Sequence, residues 1–114
     1  MGPFHEGWTQ ADVQAVLDRG DPHELLYVPI VISLDPPDCD WAERICTRLA
    51  AYPDATVRGN ALVAFGHLAR TCGRLNEAVV RPLIEAGLSD TDPTIWAHAS
   101  DAADEIEQFL GWEF

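Results

Sequence analysis

From Asp54 onward, apolar residues recur with the period of a helix. Val57, Ala61, Ala64, Phe65 and Leu68 share one side, and Arg58, Asn60 and Arg70 take the others. The pattern returns at Asp92, where Pro93 suits the first helical position and Ile95, Ala99, Ala102, Ile106 and Leu110 form the stripe. Laid over one another, Asp54, Thr56, Val57, Ala61, Ala64 and Leu68 match Asp92, Thr94, Ile95, Ala99, Ala102 and Ile106 at an offset of about 38 residues. That is the span of a helical-hairpin repeat. The preceding segments agree as well: Trp41, Ile45 and Leu49 come about 39 residues before Val80, Ile84 and Leu88 and present the same kind of seam.

The remaining elements follow from helix start and stop signals. Thr9 and Asp12 have capping-box spacing, Trp8 and Val13 occupy the two staple positions, and Gly20 ends the first helix. "DPHELL" restarts the chain with Asp21 as cap and Pro22 at the first helical position. Residues 27–34, "YVPIVISL", suit either a buried strand or a helix kinked by Pro29; the kinked helix is preferred because no second segment offers itself as a strand partner. "DPPD", residues 35–38, predicts a turn, and "TCGRLN" a break. Asp54 caps its helix, and Gly59 and Gly66 leave room for a close neighbour. Pro82, in "EAVVRPLIEAGL", is tolerated if it falls in the first turn and otherwise bends the helix.

These signals predict an all-α single domain over 1–114 with five or six helices. Residues 1–20 form an N-terminal capping helix and 21–114 a right-handed stack of helical hairpins. Trp8 and Trp41 read as structural, and Trp112 as folding back over the last helix.

Composition narrows the function. With 47% hydrophobic residues the chain has enough apolar surface to fold, and 7 basic against 19 acidic residues give a net charge of −12. Such a field repels phosphate backbones and anionic lipid, so neither nucleic acid nor membrane is an expected partner, whereas a basic protein surface is attracted. No apolar run reaches the roughly 20 residues of a bilayer span, and "MGPFHEGWTQ" has no signal-peptide pattern, so a cytoplasmic location is expected. Cys39, Cys46 and Cys72, odd in number and widely spaced, read as buried free thiols in a reducing compartment.

Catalytic constellations are thin. His67 and His98 stand singly on helices, and His5 and His23 have no cysteine or carboxylate at ligand spacing. Cys72 has Arg neighbours but neither a base nor a second cysteine two residues away. Asp101, Asp104 and Glu105 lie off the apolar stripe and read as a solvated face. No enzyme activity, metal or cofactor is expected.

"DATVRGNALVAFGHLA" and "TDPTIWAHASDAADEI" resemble the first helices of HEAT-like repeats, in which an Asp-rich turn precedes a Val-Arg pair and then alanines at packing positions. The second copy departs in having Trp96 where the first has Arg58, as either a packing cap or an exposed anchor. Nearly the whole chain, through "RGDPHELLYVPI", "PPDCDWAERICTRLA", "VRGNALVAFGHLAR" and "FLGW", resembles short bacterial HEAT-repeat proteins of polymorphic toxin systems. The resemblance implies an α-solenoid acting as a non-catalytic immunity protein that binds and occludes a toxin domain. The alternatives are a general HEAT-repeat adaptor unrelated to toxins and a degenerate repeat enzyme. Two patches suit a basic toxin surface. One is Asp35, Asp38, Asp40 and Glu43, which equally read as helix-start acids meeting the macrodipole; the other is Asp90, Asp92, Trp96, Asp101 and Asp104.

Overall fold

The computed structural model, covering Met1–Phe114, has seven helical segments and no strand: α1 (Gln10–Arg19), α2 (Pro22–Leu25), α3 (Val28–Leu34), α4 (Cys39–Leu49), α5 (Ala55–Cys72), α6 (Glu77–Leu88) and α7 (Pro93–Leu110). Short polar side chains start most of them. Thr9 and Asp12 form the capping box of α1, Asp38 accepts the Trp41 N–H, and Asp54 and Asp92 each accept the N–H groups two and three residues on.

The two Asp-led helices keep a common register. α5 and α7 are both 18 residues long, begin after an aspartate, and end at Gly73 and Gly111, each left-handed, with φ of 69° and 73°. The offset between these features is 38 throughout. Val57, Ala61, Ala64 and Leu68 are buried on α5, and Ile95, Ala99, Ala102 and Ile106 on α7, so both stripes face the core.

The preceding helices keep the same register and correct the sequence reading. The buried face of α4 is Ala42, Cys46 and Leu49, and that of α6 is Val80, Ile84 and Gly87, again 38 apart. Trp41, Ile45 and Leu88, assigned to the seam at an offset of 39, are only half-buried at its margin. Bulky residues beside a stripe imitate membership of it, whereas Ala42 and Gly87 are small because their helices approach a neighbour closely.

α5 is the centre of the molecule. It lies between α3 and α7, its most extensive contact being with α7; α4 packs on α3 and α5, and α6 on α7 and α5. One core of 26 buried residues runs from Phe4 to Ile106, and its large members, such as Phe65 and Ile106, each contribute roughly 1.5–3 kcal/mol. Polar groups of α5 take up backbone acceptors at the end of α2 and in α3: Asn60 Nδ2 donates to Leu26 O (2.8 Å) and Thr71 Oγ1 to Ser33 O (3.0 Å). Against α7, Gly59 and Gly66 open the space expected of them. A Cβ at Gly59 would fall 2.5 Å from His98 Nδ1, and one at Gly66 3.1 Å from Ala102 Cα.

Two other expectations change. Residues 22–34 form not one kinked helix but two, α2 and α3, with Tyr27 between them in helical backbone geometry and Pro29 in the first turn of α3, where its missing N–H leaves nothing unpaired. The cysteines are not all free. Cys39 and Cys72 form a disulfide with Cα atoms 6.0 Å apart, and only Cys46 is a free, buried thiol. The contact between α4 and α5 brings Cys39, the first residue of one, to Cys72, the last of the other. Pro82 lies inside α6 beyond its first turn and is exposed. Trp112 folds back as expected but reaches α6: Arg81 lies over the Trp112 and Phe114 rings (5.4 and 5.0 Å), and its Nη1 donates to Glu113 O (2.7 Å). No helix is long and apolar enough to cross a membrane.

Candidate partner-binding surfaces

The first acidic patch is largely occupied with holding the fold. Asp38 Oδ1 accepts the Trp41 N–H (2.8 Å), Asp40 pairs with Arg74 (3.1 Å), and Glu43 Oε1 accepts the Asn76 N–H (2.7 Å), tying the turn after α5 to α4. Cys39, Asp40, Glu43, Arg44, Arg74, Leu75 and Asn76 line an open concavity of about 420 Å³ here, in which two arginines balance two acids. Asp35 stands apart, closing α3 and lining a separate hollow with Gly7 and Trp8.

The second patch divides in two. Asp90 Oδ1 accepts the Asp92 N–H (2.8 Å), and Asp92 caps α7 through Thr94 and Ile95, so both are committed to the turn. Trp96, Asp101 and Asp104 are exposed, and the two carboxylates make no hydrogen bond or ion pair within the chain. Trp96 is 50% exposed, while Trp8, Trp41 and Trp112 pack against the core.

The repeat register says what this face is. One repeat earlier, Gly59 and Gly66 are buried beneath α7; their counterparts on α7 are Ala97 and Asp104, both exposed. The outward side of α7 is therefore the side that α5 uses to receive the next helix, left open and made acidic. Between Pro82 and Phe114 the chain has eight acidic residues and no Arg or Lys, so negative charge concentrates at this end.

Asp101 and Asp104 share an open concavity of about 480 Å³ with Val63, His67, His98 and Glu105. In the sequence the histidines stand singly and Glu105 reads as solvated. The spacing of 98, 101 and 105 along one helix, with His67 one repeat before Glu105, was the available signal for their meeting. His67 Nδ1 lies 3.1 Å from Ser33 Oγ, and burial lowers its pKa, against Glu105, which raises it, and with Arg70, which also lowers it. His98 Nδ1 and Glu105 Oε2 are buried without a hydrogen-bond partner because each is pressed against a glycine of α5; Arg70 Nε stands 4.0 Å from Glu105 Oε2. The hydroxyl beside them, Ser33 Oγ, is fully buried and donates to Ile30 O (3.2 Å), and no three His, Cys, Asp or Glu side chains are arranged to hold a metal ion. The arrangement can attract and orient cationic side chains.

Comparison of the chain with known protein families, curated proteins and solved structures finds no match.

Proposed function

We propose that this chain is a HEAT-like helical-repeat protein that acts in the bacterial cytoplasm as a non-catalytic immunity protein, occluding a toxin domain through the open face of α7. The observation that carries the proposal is the exposed Asp104, whose counterpart in α5, Gly66, lies under a helix, together with the exposed Trp96 and Asp101 on the same helix. Trp96 offers a large, rigid anchor of the kind enriched in binding hot spots, and the unpaired carboxylates steer and register a basic surface around it. A toxin whose substrate is anionic would present such a surface, and the acids of α7 would occupy its phosphate-binding positions.

The test is capture with any toxin-like product encoded beside this chain, followed by co-expression rescue. Trp96→Ala and the Asp101→Lys/Asp104→Lys pair are expected to weaken capture at least ten-fold while leaving unfolding midpoints unchanged. Asp38→Lys/Asp40→Lys, which removes a cap and an ion pair, should lower stability without a comparable loss of capture. Full rescue by the α7 variants would reject the surface. Specific capture of a cellular protein with no toxin activity, dependent on the same residues, would favour the general adaptor instead.

A further inference from the structure

The geometry points to Cys39–Cys72 as a thiol–disulfide exchange site, through which a dithiol reductant releases the strap between α4 and α5. Both cysteines are half-buried rather than enclosed, which leaves Cys72 open to an attacking thiolate, and Cys39 forms part of the wall of the open 420 Å³ concavity, which can receive it as the leaving group.

The two sulfurs are not equivalent. Cys39 is the first residue of α4, where Asp38 takes up the Trp41 N–H and the N–H groups of Cys39 and Asp40 have no partner in the chain. A thiolate there is stabilised by the helix N-terminus, while the two arginines and two acids of the concavity offset one another. Cys72 is the last residue of α5, at the carbonyl end, where a thiolate is disfavoured.

Exchange therefore has a direction. A thiolate of the dithiol bonds to Cys72 Sγ, the Cys39–Cys72 bond breaks, and its electron pair leaves on Cys39 Sγ into the concavity. The second thiol of the reductant then attacks the mixed disulfide, closes its own disulfide and releases Cys72, which takes a proton. Two electrons pass from the dithiol to the protein. Cys46 does not interfere: it is fully buried, and its thiol pKa is pushed up by burial and further by Glu43, so it stays protonated and the original pair re-forms on oxidation.

Releasing the strap leaves the core in place, since Ala42, Cys46 and Leu49 still bury α4, but removes a closure across 33 residues of chain. Arg74–Asp40 and Glu43–Asn76 are then the polar contacts left between the first turn of α4 and the turn after α5. By the chain-entropy relation, reduction should lower Tm by about 10–20 °C. In a reducing compartment such a bond is transient and reports the state of the thiol pool.

The experiment counts alkylated cysteines by mass spectrometry on the native full chain. Air-oxidised protein should yield no rapidly alkylated thiol. Dithiothreitol without denaturant should expose Cys39 and Cys72 with far-UV circular dichroism retained, and iodoacetamide at pH 7 should then modify Cys39 about ten-fold faster than Cys72. The Cys39→Ser/Cys72→Ser variant should melt where reduced wild type melts and ignore dithiothreitol. Free Cys39 and Cys72 in the oxidised protein, reduction only in denaturant, equal alkylation rates, or an unchanged Tm on reduction would each overturn the proposal.

Discussion

α5 and α7 share length, cap, terminal glycine and buried stripe, yet one is covered on both flanks and the other on one. Where the two sequences agree, at Val57 and Ile95 or Leu68 and Ile106, the residues face the common core. Where they differ, the difference follows what lies alongside: Gly66 admits the backbone of α7, whereas its counterpart Asp104 meets solvent. The repeat thus supplies its own control, because the same helix position can be probed once under a neighbour and once without.

The largest effect should come from exchanging those counterparts. Gly66→Asp places a carboxylate where a Cβ alone would approach Ala102 Cα to 3.1 Å, and should cost about 4 kcal/mol or more in urea unfolding. Asp104→Ala should stay within about 0.5 kcal/mol, as surface changes do. Equal costs for the two would break the register.

Next come the matched core positions. Leu68→Ala and Ile106→Ala remove fully buried side chains and should each cost about 3 kcal/mol by the same measurement. A cost below about 1 kcal/mol at Ile106 alone would mean that the second stripe is not packed like the first.

The caps should contribute less. Asp54→Ala and Asp92→Ala each release two N–H groups and should lower stability by about 1 kcal/mol apiece.

The smallest effect is one of pH. His67 has a lowered pKa in the fold, so the unfolded chain binds its proton more readily. Stability from this group is complete above the unfolded value of about 6.5 and declines as pH falls through it. Chemical denaturation between pH 7 and 5 should show a shallower decline in His67→Gln than in wild type. Its counterpart one repeat on, Glu105, holds the His67 pKa up, so Glu105→Gln should lower that pKa further and deepen the decline.

Much of this arrangement was legible in the chain. The paired Asp-led segments, their stripes, the capping box at Thr9 and the glycines at 59 and 66 are local patterns, and local patterns survive without knowledge of neighbours. The α4 seam was misplaced by one position because Trp41 and Ile45 are as apolar as a true core residue, and hydrophobicity does not report how close the next helix comes.

By itself, then, the sequence determined the helices, their repeat length and which side of each is apolar, since these depend on spacing within one segment. Only the tertiary structure decided that Cys39 meets Cys72, that His67, His98 and Glu105 share a concavity with Asp101 and Asp104, and that the outward face of α7 corresponds to a buried face of α5. Each of these joins residues more than thirty positions apart or compares two environments. Such proximity is set by how helices pack, to which the spacing within any one segment is blind.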